Sequence, residues 1–490
     1  MRKTIIILTI LAGGLFFGGC NSWLDVKPYD SMAEDQLYST ENGIQRALNG
    51  LYLSLASNDL YAENLGGGAI DVLGQRYKLS SGHTYYDLNE YNYTNDGPKG
   101  TFEAIWKAAY KLIADCNEFL EKVPEHQDLM SQANYRMSMG EALAIRTLLH
   151  FDMFRIFGPV YSEANKKESS IPYYNMVTDV TQPILPADEL VEHLFADIDS
   201  AIVLLSEDVI LTEGIVKDED FWDYRNLRLN YYAVQALMAR VALYCGEKDV
   251  AWEYADKMIR GIREEHEWFP FATREEIVTT NREDRIFQSE ILFGLYNLKR
   301  KESVYEVGFG SGLKQGSVLR IDKDIMRDMY EGDDNDYRLS YWFAEMVDPD
   351  NNSYLHVIKY KEVDDVDPVT KISKGYSYIM PILRVSEVYL IAAECCPDPK
   401  EGRNYLNAVR TARNVKNIQD DADLTTCVEQ EYKREFVGEG QLFWLYKRKG
   451  KSEIASGEKL AEVISMEERF YLFDLPQTEQ DYRKENGVDN

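Results

Sequence analysis

Between Phe102 and Val123 apolar residues fall at Phe102, Ile105, Trp106, Ala109, Leu112, Ile113, Cys116, Phe119, Leu120 and Val123. A helix places positions i, i+3, i+4 and i+7 on one face, so this spacing predicts a single apolar stripe that needs a partner to bury it. Thr101 is the expected N-cap, and Glu103 suits the positive end of the helix. The same period recurs at Met139, Leu143, Leu149, Met153, Phe154 and Phe157, where Gly158-Pro159 stops it. Leu190, Leu194, Ile198, Ala201, Ile202 and Leu205 mark a third helix.

Two segments read as helical hairpins. Val234, Leu237, Met238, Val241 and Cys245 lead to Gly246, then Ala251, Ala255, Met258, Ile259 and Ile262 follow. Val385, Val388, Tyr389, Ala392 and Cys395 lead into Pro397-Asp398-Pro399, then Tyr405, Leu406, Val409 and Ala412. Alanines let paired helices approach closely, and such hairpins resemble tetratricopeptide units, though no regular period runs through the chain. The helical pattern breaks at Asn58 to Gly100, rich in Gly, Asn, Asp and Tyr, and at Phe269 to Ile379. The second break contains β-like runs, Glu290 to Leu295 and Tyr354 to Lys361. The expected fold is therefore mostly α, with helix pairs, two large irregular insertions and minor β. Long loops in a compact protein are usually functional.

The N-terminus reads as a processing signal. Arg2 and Lys3 precede an apolar run, Thr4 to Phe17, too short to span a bilayer. It ends in Phe17-Gly18-Gly19-Cys20, which resembles a bacterial lipobox with Cys20 as the lipidated mature N-terminus. Ordinary secretory cleavage near Gly19 is the alternative. The expected organisation is a signal peptide over 1–19, a lipidated tether over 20–38 and one domain over 39–490. That domain divides into an N-terminal helical part (39–268) carrying the loop 58–100, an insertion (269–379) and a C-terminal helical part (380–490). The formal net charge of −29 opposes binding to phosphate backbones, so nucleic acid is not an expected partner. Six cysteines occur without a C-x-x-C pair, so zinc and redox spacings are missing; Cys116 and Cys245 fall on apolar stripes and read as buried.

Catalytic motifs fail on inspection. His266-Glu267 lacks the second histidine of H-E-x-x-H, and Gly308-Phe309-Gly310-Ser311-Gly312 has neither dinucleotide nor P-loop spacing. No G-x-S-x-G elbow occurs. Asp348, Asp350 and Asn352 start like a calcium loop, but Ser353 and Lys359 hold the positions that need Gly and Glu. No cofactor or metal is expected. What remains is tyrosine: 34, against 19 Phe and 7 Trp, with Tyr77, Tyr85, Tyr86, Tyr91 and Tyr93 interleaved with Arg76, Asp87, Asn89, Asn92 and Asn95. Aromatic faces stack on sugar rings while amides, carboxylates and guanidinium groups bind hydroxyls. Each tyrosine has two readings, packing or ligand contact, and for the loop as a whole ligand contact is the stronger one.

The order of short motifs along the chain resembles the SusD/RagB family of nutrient-binding outer-membrane lipoproteins. They are Cys20-Asn21-Ser22-Trp23-Leu24-Asp25 with Pro28; Trp106, Tyr110, Ile113 and Asn117; Glu141 to Arg146 through Asp152 to Gly158; Arg240 to Tyr244 with Gly246; Leu383 to Leu390 with Ala393-Glu394; Glu431 to Gln441; and Leu475 to Glu479. The resemblance implies a superhelix of four tetratricopeptide-like pairs with loop insertions, no catalysis, and a lipid anchor in the outer membrane facing the cell surface. It implies a SusC-like TonB-dependent transporter as partner and an oligosaccharide as ligand. Ligand contacts carried over by position are Arg76, Tyr91, Asn92, Tyr93 and Asn95 before the Trp106 helix, and Tyr296, Tyr305 and Trp342 in the central insertion. The chain departs from the family's usual "FyDLvRwg" at Phe443-Trp444-Leu445-Tyr446-Lys447-Arg448-Lys449-Gly450, which lacks the Asp and is more basic. Three other readings stay open: a peptide or glycopeptide ligand on the same scaffold, a surface glycoside hydrolase, and a structural lid whose tyrosines never meet ligand.

Overall fold

The computed structural model describes residues 36–215, 220–266, 268–310, 312–347, 353–364, 366 and 375–488. Cys20, the signal segment, most of the tether and the Asp348–Asn352 run lie outside the described residues.

The principal helices are α1 (Glu41–Leu55), α2 (Asp96–Lys122), α3 (Gln132–Phe157), α4 (Ala187–Leu204), α5 (Tyr231–Tyr244), α6 (Lys248–Arg260), α7 (Val385–Cys395), α8 (Pro399–Ala412), α9 (Leu424–Glu435) and α10 (Leu442–Arg448). Helices α2–α3, α3–α4, α5–α6 and α7–α8 pack against each other as consecutive pairs, α6 docks on α7, and α1 lies against α2 and α3. This is the predicted mostly helical stack. The stripe of α2 is buried from Phe102 to Phe119, Cys116 included, and Cys245 is buried at the end of α5. The α5–α6 turn needs Gly246, whose φ is +81°.

Two boundaries differ from expectation. Helix α2 starts at Asp96 with Asn95 as N-cap, and Thr101 sits inside it, its hydroxyl donating to the Gly97 carbonyl at 3.1 Å. Asp96 and Pro98 suit a first turn, which needs negative charge and can spare N–H groups. Gly97 and Gly100, poor helix formers, mask that turn in the sequence. The 58–100 stretch is also less irregular than its composition suggests, since Ala69–Leu73 and Tyr86–Asn89 form short helices.

The strands are β1 (Ser169–Pro172), β2 (Ile184–Pro186), β3 (Ile291–Tyr296), β4 (Arg320–Ile321), β5 (Phe343–Val347), β6 (Ser353–Val357) and β7 (Ile379–Arg384), with a short hairpin of β8 (Glu453–Ala455) and β9 (Val463–Ser465) near the C-terminus. Strand β3 pairs antiparallel with β7, and β4, β6 and β5 form a three-stranded sheet in that order. The central insertion is thus pinned at both ends to the helices by the β3–β7 ladder.

A buried ion network ties the insertion to α8 and α9. Six cations (Arg338, Lys359, Arg384, Arg410, Arg413 and Arg434) face five buried carboxylates (Glu290, Asp336, Glu431, Glu435 and Glu439). Arg434 also reaches the outer Glu331 at 2.5 Å. Burying unpaired charge is expensive, and here each charge has partners at contact distance. Two backbone N–H groups after α9, of Gly438 and Gly440, donate to the buried Asp71 carboxylate at 3.1 Å, which fastens the 58–100 stretch to the C-terminal part. Gly440 has φ +67°, and a Cβ there would lie 2.5 Å from the Leu65 carbonyl oxygen. Among the described residues no helix is long and apolar enough to cross a membrane.

Candidate functional site

The residues carried over from the tyrosine-rich loop do not converge on one surface. Tyr91 is 5% exposed, its ring stacked on Phe470 at 4.8 Å and 18°, its hydroxyl donating to the Leu73 carbonyl at 2.9 Å. Tyr93 donates to the Phe470 carbonyl at 2.8 Å and packs between Phe102 and Phe473. Tyr77 and Tyr85 donate to the carboxylates of Asp71 and Glu63, each at 2.5 Å. Arg76 is buried against the Lys433 carbonyl, with Asp71 at 4.0 Å. Asn92 and Asn95 are exposed, Asn95 as the N-cap of α2.

In the central insertion, Trp342 is fully buried, tilted on Phe287 at 5.3 Å with the Lys359 ammonium 4.0 Å above its ring. Tyr305 is buried on a π-helical turn, Lys301–Phe309. Arg76, Tyr91, Tyr305 and Trp342 are buried and Tyr93 is half-buried, so in this structure they do not form an open contact surface. Their apolar faces are spent on the core, and aromatic side chains bury most of their large area when a core is within reach.

Tyr296 differs. It ends β3 with its side chain 43% exposed, Tyr378 at 5.6 Å beside it, while its neighbour Leu295 points inward. Tyr296 forms one wall of a cleft whose other walls are α1, through Asn49, Tyr52 and Leu53, and the 220–228 segment, through Phe221, Tyr224 and Arg228. The cleft encloses about 340 Å³, at the lower end of the roughly 300–1,000 Å³ typical of small-ligand sites.

The cleft is built from below by charge. Arg225, on a 3₁₀ turn over Arg225–Leu227, donates to Asp208 at 2.8 and 2.7 Å and to Glu141 of α3 at 2.5 Å. Arg228 donates to the other Glu141 oxygen at 3.2 Å and to Asn49 at 2.8 Å. Its guanidinium lies 4.1 Å from the Phe221 ring centre, a stacked cation–π pair that holds the ring as a plate. Tyr52 closes the floor, donating to Glu141 at 2.8 Å and accepting from the Leu229 N–H at 3.0 Å. Burial, reinforced by the Glu141 carboxylate, pushes its phenol well above the ordinary range, so it stays a donor.

Tyr224 stands on this base 53% exposed, with φ +52° in the left-handed region. A bulky residue there is strained by about 1–3 kcal/mol, and such strain gathers at binding sites. Asn230 donates to the Leu292 carbonyl at 2.8 Å and locks the segment to β3. Two exposed phenol rings and the Phe221 plate thus share one cleft with the Asn49 amide and the Asp220 and Asp223 carboxylates. Such a set can stack on flat apolar faces and exchange hydrogen bonds with hydroxyls. The segment Asp220-Phe221-Trp222-Asp223-Tyr224 interleaves aromatic and polar residues as the 77–95 loop does, which is the signal that could have pointed here.

Comparison with known proteins places this architecture. Residues 22–218 match a SusD-like family model described as starch-binding and associating with the outer membrane, and residues 219–485 match the SusD family model. Curated relatives include the SusD-like proteins P38 and P25 of Formosa agariphila, each 25% identical, over 40% and 33% of this chain. The chain covers about a third of their length, 36% and 32%. Among solved structures, a SusD superfamily protein of Bacteroides thetaiotaomicron superposes with TM-score 0.71 at 22% identity, covering 90% of this chain and 98% of that one. Surface glycan-binding protein A of the same organism, in complex with laminarihexaose, superposes with TM-score 0.66 at 18% identity, covering 91% and 98%. With the second model spanning more than half of the sequence, the chain belongs to the SusD family.

Proposed function

We propose that this protein is a non-catalytic, surface-exposed glycan-binding lipoprotein that captures an oligosaccharide in the Tyr224–Tyr296 cleft. The observation that carries this reading is the cleft itself, where exposed aromatic faces stand beside hydroxyl-binding groups on a braced base. The family membership and the laminarihexaose complex of surface glycan-binding protein A support a saccharide as ligand. In this reading Cys20 carries the lipid that anchors residues 39–490, as one unit, at the outer membrane. The helical stack meets a SusC-like TonB-dependent transporter, which takes the captured sugar. A hydrolase is disfavoured by geometry: the Asp220 N–H donates to the Asp223 carboxylate at 2.8 Å, so both acids sit on one turn. Glycoside hydrolysis needs carboxyl groups on either side of the scissile bond.

The test is calorimetry of the mature protein, starting after Cys20, against laminarihexaose and a panel of plant, host and microbial oligosaccharides. Tyr224→Ala and Tyr296→Ala should each weaken binding about tenfold, since one stacked ring is worth ~1–1.5 kcal/mol. Saccharide binding that both variants leave untouched would refute the cleft assignment. Binding to tryptic peptides alone would refute the saccharide. Loss of membrane association in Cys20→Ser and co-purification with the transporter test the remaining parts.

A further inference from the structure

We infer that the Tyr224–Tyr296 cleft admits uncharged saccharides and rejects those carrying uronate or sulfate groups, an inference that rests on the cleft being the saccharide site. The lining of the cleft carries more negative than available positive charge. Asp220 and Asp223 line the cleft with their carboxylates on one turn, where, among the described residues, they accept from the backbone N–H groups of Phe221 and Asp220 and meet no cation. Arg228 is the one cation that lines the cleft among the described residues. It is 8% exposed, and it is engaged by Glu141, Asn49 and the Phe221 ring.

The layer beneath adds no positive surplus. Arg225 and Arg228 are matched by Asp208 and Glu141, two against two, with the second cation already shared. An anionic group entering the cleft therefore meets two carboxylates and finds no guanidinium free to fork onto it. Arginine binds carboxylates and sulfates through paired N–H donors, and that fork is turned inward here. The whole chain, at −29, adds a long-range field of the same sign. A neutral sugar is not penalised: its hydroxyls donate to carboxylates, and its apolar faces need only the rings.

The experiment uses matched probes. Laminarihexaose and neutral glucan, mannan, xylan and galactan oligosaccharides are compared with their C6-oxidised or sulfated counterparts, on wild type and on Asp220→Asn/Asp223→Asn, at about 0.02 and 0.15 M salt. Each neutral ligand that binds should bind about tenfold more tightly than its anionic counterpart in wild type. That ratio should shrink severalfold in the double variant and at the higher salt. Equal or tighter binding of the anionic forms, or a ratio that the double variant leaves unchanged, overturns the inference. If saccharides bind but Tyr224→Ala and Tyr296→Ala leave them unaffected, or if no saccharide binds, the site assignment itself falls and takes the inference with it.

Discussion

Replacing Glu435 by alanine should cost the fold about 4 kcal/mol. One Glu435 oxygen accepts from Arg384 at 2.5 Å and Arg413 at 2.6 Å, the other from Arg338 at 2.9 Å and Arg413 at 3.0 Å. Burial alone would favour the neutral acid, but Arg413, Arg384 and Arg338 together hold the carboxyl well below the usual carboxylate range, so it is ionised. Four charge-assisted bonds at ~1.5–3 kcal/mol each would suggest a larger loss. That sum overshoots, because each arginine keeps another partner: Arg338 keeps Asp336 and Glu431, Arg384 keeps Glu439, and Arg413 keeps Glu290. What the variant leaves is one uncompensated positive charge in the core, for which removal of a single partner typically costs ~3–5 kcal/mol. Guanidinium denaturation followed by far-ultraviolet circular dichroism measures it, with the slope checked for constancy. Asp115→Asn, which breaks the exposed Lys111–Asp115 pair, is the control and should cost under ~0.5 kcal/mol. A Glu435→Ala loss below about 1 kcal/mol would refute the network as a charge-matched brace.

Tyr91→Ala should behave as a core deletion, lowering stability by about 3–5 kcal/mol while the folded fraction keeps its saccharide affinity; thermal unfolding and calorimetry on the same sample separate the two effects. Glu394 should contribute to acid stability. Burial pushes its carboxyl up, but Arg448 at 2.9 and 2.6 Å and Lys449 at 3.2 Å outweigh it and hold the group at about 2. The unfolded chain therefore takes up this proton first. The contribution is complete above about pH 5 and is lost as the pH falls towards 2, ~3 kcal/mol in all. Denaturation of wild type and Glu394→Gln at pH 7, 5, 4 and 3 should show the gap between them closing over that window. A gap constant with pH would refute the assignment.

The helices were legible because their cause is local. The stripes of α2 and α4 follow from apolar residues three and four apart, and the structure buries most of each, whereas α3 is buried on every face from Gly140 to Phe157. The start of α2 was missed because glycines at 97 and 100 hid a first turn that Asp96 and Pro98 support. The site was mostly illegible. Tyr91 and Tyr224 sit in similar strings of aromatic and polar residues, and both have positive φ, yet one ring stacks on Phe470 and the other faces solvent. Nothing within either string says which side the core is on.

The family motifs show the same division. Arg240, Arg384, Glu387 and the Glu431 to Gln441 run are visible in the sequence as parts of family motifs, with nothing in the spacing to pair one charge with another. In the fold Arg240 meets Glu387 across 147 residues, and Arg384 meets Glu435 across 51. Local signals in the chain suffice for the mostly helical class and the hairpins, since helix period and turns depend on neighbours a few residues away. Which tyrosines are walls of a cleft and which are core, and which charges are buried, is set only when distant segments pack together. Those outcomes depend on what packs against each side chain from elsewhere in the chain, and α1, the 220–228 segment and β3 meet only in three dimensions.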